Sequence, residues 1–307
     1  MKNVVNSYTT DLTTMIEQAQ ESMVMVAGKD DSARSTRSGF IFSVDPVRIV
    51  TAGDMFAKAD QTDITFDNGI HVQGNLIGFD EDTKIAVYEC KPDFNVEALQ
   101  PGDSSLVSAG ENVAALGARR ESGSAMVSEG VVSEIGQYRS SSSSAWYEEV
   151  LETDASVTSQ NSGGALLNRS GEVLGVLIPS PSGAQNEEGY ALAVNEVRNI
   201  YNAFVNDGTL TRGSLQACTR PVRFMPAYEK SALGLPLDLT NGVRVISLLE
   251  ESEDGLRAGD VITKIDDKKL TDNEDLRNRL YMHKPGDTIK VDVLRDGEEV
   301  SLSVVLK

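Results

Sequence analysis

Between residues 23 and 194 the apolar positions fall in short runs separated by turn signals, with no long periodic stretch. Runs at 23–27, 39–43, 48–51, 70–77 and 85–89 make a first series, the fourth opening after Asp67-Asn68-Gly69. A second series follows at 112–116, 126–135, 150–153, 164–167, 173–178 and 190–194. Short β-rich runs at this spacing predict an all-β barrel or sandwich, and two series of about six predict two barrels side by side. Helical spacing lies outside them. Leu12, Ile16 and Ala19 share one face of 11–20, and Val197, Ile200, Tyr201 and Phe204 share one face of 195–206, which ends near Gly208. The stretch to Lys307 mixes strands with one helix near 272–282 and is long enough to be a domain of its own.

The boundaries that follow are an N-terminal helix or extension at 1–21, barrels at 22–100 and 109–194, and a helix closing the unit at 206. A linker at 207–222 then leads to a final domain at 223–307. Within the double barrel, 91–108 with Pro101-Gly102-Asp103 reads as a connection. The five serines at 140–144 read as a loop without chemistry of its own.

With 307 residues, two or three folded units are expected. A formal charge of −19 excludes nucleic acid as a partner, because phosphate binding needs a basic face. Cys90 and Cys218 are the only cysteines and have no metal spacing around them, so neither a metal nor another cofactor is expected. No apolar run is long enough to cross a bilayer, and the polar first twenty residues lack the apolar core of a signal peptide.

The most informative stretch is Thr153-Asp154-Ala155, followed after four residues by Gln160-Asn161-Ser162-Gly163-Gly164. A serine before two glycines and a strand suits a hydroxyl on a tight loop whose backbone N–H groups line an oxyanion hole. Together with 171–176 (Gly-Glu-Val-Leu-Gly-Val) and 189–194 (Gly-Tyr-Ala-Leu-Ala-Val), this segment resembles the HtrA-type serine proteases. The resemblance implies two chymotrypsin-type barrels followed by a PDZ domain, and it covers nearly the whole chain after the first helix.

It also implies a histidine base and an orienting aspartate, because a serine hydroxyl is a poor nucleophile until a base takes its proton. The chain has two histidines, His71 and His283, and neither falls where the family places its base. That place follows Ile49-Val50-Thr51 and holds Asp54; the aspartate position before Ile85-Ala86-Val87 holds Lys84. A register with Asp82 as the aspartate would disturb the inward face of the strand. Gln160 stands where the family has its oxyanion-hole glycine. The expectation is a chain without a working triad, in which Asp54 and Lys84 form a partly buried ion pair. The rival reading is an endopeptidase using Ser162 with Lys84 as base.

Ala232-Leu233-Gly234-Leu235 resembles the carboxylate-binding loop of the family's PDZ domain, and 255–262, 284–287 and 294–297 resemble further landmarks. Leu233, Gly234 and Leu235 are thus the expected peptide-binding residues, capturing a C-terminus that adds as a strand. The groove is expected between the strand after Leu235 and the last helix, with Leu276 and Leu280 in the core and Asn273 and Arg277 able to face a ligand. The expected function is recognition of peptides or protein C-termini in an adaptor, regulatory or holdase role. The resemblance further implies an extracytoplasmic place, and a trimer of like chains or association with active relatives.

Overall fold

The computed structural model describes the backbone of residues 4–29, 34–53, 61–119, 123, 125–139, 146–178, 189–210, 213–248 and 255–307. The chain divides into two compact units, Met1–Leu210 and Thr211–Lys307.

In the first unit, helix α1 (Val4–Gln20) precedes two closed six-stranded barrels. The first barrel is β1 (Met23–Lys29), β2 (Arg34–Val44), β3 (Val47–Ala52), β4 (Gln61–Phe66), β5 (His71–Phe79) and β6 (Ile85–Glu89), closed in the order β1-β2-β3-β6-β5-β4. The second is β7 (Asn112–Gly117), β8 (Met126–Arg139), β9 (Trp146–Thr153), β10 (Ala165–Asn168), β11 (Val173–Ile178) and β12 (Gly189–Ala193), closed as β10-β11-β12-β9-β8-β7. All six runs of the second series are strands. In the first series β4 adds one that the pattern did not predict.

Several strands are apolar without alternation because both faces are covered. In β3, Ile49 points into the barrel core with Val24, Ile41, Ile64 and Tyr88, while Val50 joins the layer with Phe40, Leu116, Val176 and Phe204. In β11, Leu174 and Leu177 fill the second barrel, while Val173, Val176 and Ile178 face the same outer layer. Helix α2 (Val194–Asp207) lays Val197, Ile200 and Phe204 onto that layer and ends at Gly208 in the left-handed region, its N–H on the Phe204 carbonyl. The 91–108 connection is docked rather than loose. Asp103 accepts from Asn195 Nδ2 at 2.9 Å, Ser104 Oγ from the Asn195 N–H at 3.3 Å, and the Gly102 carbonyl from Arg198 at 2.8 Å.

The second unit holds a sheet in the order β13-β14-β15-β17-β18, with β16 (Lys268–Lys269) paired to β15. Its strands are β13 (Ala217–Pro221), β14 (Val243–Leu248), β15 (Val261–Ile265), β17 (Thr288–Arg295) and β18 (Glu298–Val305). Helix α3 (Ala227–Ala232) lies between β13 and β14, and α4 (Asn273–Leu280) between β16 and β17. The segment read as a linker at 207–222 therefore contains a strand of the final sheet. Cys-Thr-Arg-Pro has little apolar content, and a proline is tolerated at the end of an edge strand. Arg295 ties the 255–260 loop to the β17–β18 hairpin, with Nε on Asp260 Oδ1 at 2.7 Å, Nη2 on Oδ2 at 2.8 Å and Nη2 on the Gly255 carbonyl at 2.7 Å.

Among the described residues no helix is long and apolar enough to cross a membrane. Both cysteines are free thiols. Burial, with Glu89 beside it, pushes the Cys90 thiol up to about 11. At pH 8 Cys90 is expected to resist a disulfide reagent until the chain is unfolded; a stoichiometric reaction of Cys90 in native protein would contradict this placement. A second expectation concerns Gly78, where an added Cβ would lie 2.3 Å from the Phe204 ring. Gly78→Ala should cost about 1–3 kcal/mol in denaturant unfolding and be nearly neutral in a Phe204→Ala background.

Candidate active site

The nucleophile loop joins β9 to β10 and is held from its first residues. Asp154 Oδ1 accepts the Val131 N–H at 2.7 Å, over Gly130, where a Cβ would lie 2.3 Å from that same oxygen. Asn161, 4% exposed, pins the turn from inside: Oδ1 accepts the Thr158 N–H at 2.6 Å and Nδ2 donates to the Ser156 carbonyl at 3.0 Å. Gly163 follows at φ +83°, and an added Cβ would lie 2.2 Å from the Ser38 carbonyl oxygen and 2.8 Å from the Ala52 nitrogen. Ser162 thus sits against the end of β3, where the sequence places Asp54.

Ser38 fastens this loop to both barrels. Its N–H donates to the Ser162 carbonyl at 3.0 Å, and its Oγ donates to the Gln160 carbonyl at 3.0 Å. The same Oγ accepts the Ala118 N–H at 2.9 Å, and the Ser38 carbonyl accepts Thr51 Oγ1 at 2.7 Å. Sequence reasoning missed Ser38 and Thr51. β2 is polar from Arg34 to Ser38 and β3 also holds Arg48, so neither hydroxyl stood out from its strand.

The Ser162 side chain is fully buried, and its Oγ has no hydrogen-bond partner among the described residues. His71 Nδ1 lies 2.8 Å from Thr65 Oγ1 in the β4–β5 hairpin. His283 Nε2 lies 3.0 Å from Asp266 in the second unit. Neither histidine is bonded to the serine.

Lys84 directly precedes β6, at φ +62°, with its N–H on the Asp80 carbonyl at 2.8 Å. Asp80 caps that turn through the N–H groups of Asp82 and Thr83 and the Thr83 hydroxyl. Asp82 is exposed on the turn. The Lys84 carbonyl accepts the Gly53 N–H at 2.9 Å, which sets Lys84 across the β3–β6 ladder from the residue before Asp54. Asp54 itself lies outside the described residues, as do 140–144 and 250–254. Lys84 Nζ is 3.5 Å from Glu81 Oε2 and is not hydrogen-bonded to Ser162. A carboxylate there favours the ammonium, which cannot accept a proton.

The two N–H groups that would face a developing oxyanion are both bonded within the loop. Ser162 N–H donates to the Thr158 carbonyl at 3.0 Å and Gln160 N–H to Thr158 Oγ1 at 3.3 Å. Gln160 is exposed and is not among the non-glycine residues with positive φ. Its side chain therefore does not crowd the loop interior.

In the second unit the expected carboxylate loop is a helix end. The N–H groups of Leu233, Gly234 and Leu235 donate to carbonyls of α3: Leu233 to Glu229 and Lys230, Gly234 to Ser231, and Leu235 to Lys230. Gly234 takes φ +65° as the left-handed residue closing that helix, and Leu235 is buried with Val222, Met225 and Val261. A Leu-Gly-Leu run satisfies a helix C-cap as well as a binding loop, which is why the sequence misled. The strand beside α4 is β13, upstream of Leu235: Thr219 Oγ1 bonds Asn273 Oδ1 at 3.2 Å, and Arg223 bonds Asp272 at 2.8 Å. Arg277 is 2% exposed, and Leu276 and Leu280 lie in the core.

The Trypsin-like peptidase domain family matches residues 37–176 and the PDZ domain family residues 231–306. The chain is similar to HtrA-type serine proteases. It is 34% identical over 268 residues to the Serine protease Do-like HtrA of Lactobacillus helveticus, covering 84% of this chain and 65% of that protein. It is 29% identical to the protein of the same name from Lactococcus lactis subsp. cremoris, covering 100% and 81%. The Periplasmic serine endoprotease DegP of Escherichia coli is 28% identical, with 91% of this chain and 58% of DegP covered. Among solved structures, an HtrA-type protease, AlgW, with a tripeptide superimposes with a TM-score of 0.69 at 26% identity, covering 96% of each chain. The chain spans 65% of the length of the L. helveticus protein.

Because Ser38 is 1% exposed and makes bonds to Gln160 and Ala118, Ser38→Ala leaves the buried Ala118 N–H and the Gln160 carbonyl without this partner. It should cost about 1–3 kcal/mol in denaturant unfolding. A change within a few tenths of a kcal/mol would show that the clamp carries no load.

Proposed function

We propose that this HtrA-type chain does not hydrolyse peptide bonds and acts instead by binding peptides or protein C-termini, in an adaptor, regulatory or holdase role. One observation carries the reading: among the described residues none hydrogen-bonds the buried Ser162 Oγ, while both histidines of the chain are bonded elsewhere. Lys84 as a substitute base lacks support, since its ammonium lies near Glu81 and is not bonded to the serine.

The binding half of the proposal draws on the second unit. β13 is an edge strand beside α4, and an extended segment adds to such an edge through backbone hydrogen bonds, with side-chain pockets giving selectivity. The peptide-binding position is accordingly moved from Leu233–Leu235 to β13. DegP is by name periplasmic, and an extracytoplasmic location with homo-oligomers or active relatives as partners belongs to the same proposal.

The test is labelling of the full chain by a fluorophosphonate, together with cleavage of an unfolded casein substrate, with Ser162→Ala as control. Neither labelling nor cleavage above the control is expected. Labelling that disappears in Ser162→Ala would overturn the non-hydrolytic reading and turn attention to Lys84.

A further inference from the structure

Beyond the replaced triad, we infer that Thr158 is a positioning residue that holds the nucleophile loop closed, giving a second block to acyl transfer. Acyl transfer needs N–H donors aimed at the point where negative charge develops, and such donors stabilise the transition state only if they are not already bonded. Thr158 engages both candidates at once. Its carbonyl accepts the Ser162 N–H at 3.0 Å, closing one helical turn, and its hydroxyl accepts the Gln160 N–H at 3.3 Å.

The rest of the loop holds Thr158 in that place. Asn161 Oδ1 accepts the Thr158 N–H at 2.6 Å, so the backbone on both sides of Thr158 is bonded within the loop. Ser38 holds the neighbouring Gln160 and Ser162 carbonyls from the barrel side, at 3.0 Å each, and the Asn161 carbonyl, on the same peptide as the Ser162 N–H, accepts the Gly164 N–H at 2.9 Å, which opposes rotation of that peptide. Opening the hole would require both Thr158 bonds to break while Ser38 still held the neighbouring carbonyls. The block is independent of Asp54 and Lys84. Restoring the triad in this chain therefore leaves the oxyanion donors bonded within the loop.

The inference rests on the same loop as the proposed function but is read by a different comparison. Thr158→Val keeps the shape of the side chain and removes its acceptor oxygen. In the full chain, backbone-amide hydrogen exchange resolved by NMR should show the Gln160 and Ser162 amides protected. Thr158→Val should lower the Gln160 protection at least tenfold while leaving Gly163, which bonds the Leu177 carbonyl, unchanged. In a chain carrying Asp54→His, Lys84→Asp and Gln160→Gly, adding Thr158→Val should raise the fluorophosphonate labelling rate at least tenfold. Equal exchange of the Gln160 amide with Thr or Val at 158, or equal labelling of the two triad-restored chains at any level, overturns the inference. Labelling of the otherwise unaltered chain reports on the proposed function alone, so the two readings fail separately.

Discussion

Four hydrogen bonds converge on Ser38, and they join the two barrels through the loop that carries Ser162. Each partner is buried or backbone, so losing one bond leaves a polar group in a place water does not reach. The clamp explains why the nucleophile loop keeps a tight conformation although no described residue hydrogen-bonds its serine hydroxyl. Its order comes from the carbonyls of Gln160 and Ser162 and from Asn161. The hydroxyl that the family uses for chemistry contributes no bond to it. The geometry of the loop thus depends on Ser38 and Asn161 and not on the serine hydroxyl.

The Lys84 turn shows the same independence on the other side of the cleft. Asp80 organises the turn through three donors, and the Lys84 carbonyl closes the ladder onto Gly53. These are backbone and capping interactions that accept many side chains at 84. A lysine at 84 is therefore compatible with the start of β6. The left-handed backbone at Lys84 costs some energy for a residue with a Cβ, and the capped turn over-determines it.

Much of the fold was legible because burial on two faces leaves an unmistakable pattern. Runs such as Val173–Ile178 and Gly189–Ala193 are apolar throughout because one face meets a barrel core and the other the layer under α2. β4 was missed because its outward residues are polar, although Thr62, Ile64 and Phe66 alternate inward. β13 was missed because an edge strand needs few apolar residues, and α3 because its glycine end imitates a loop. At the site, the serine and the substituted positions were visible as departures from a motif. Thr158, Ser38 and Thr51 were not, since a hydroxyl that bonds backbone atoms from a distant strand leaves no local periodicity. Which carbonyl it meets is decided by tertiary packing.

The glycine pair after Ser162 carries a consequence for reading such motifs. A Cβ at Gly163 would lie 2.2 Å from the Ser38 carbonyl oxygen, and one at Gly164 would lie 2.2 Å from the Leu116 carbonyl oxygen. Neither clash involves a substrate or the serine hydroxyl. The Asn-Ser-Gly-Gly signature is thus a keystone of the seam between the barrels, and it would persist in a lineage that had long given up turnover. Its presence in a sequence certifies the masonry and is silent about the trade carried on inside.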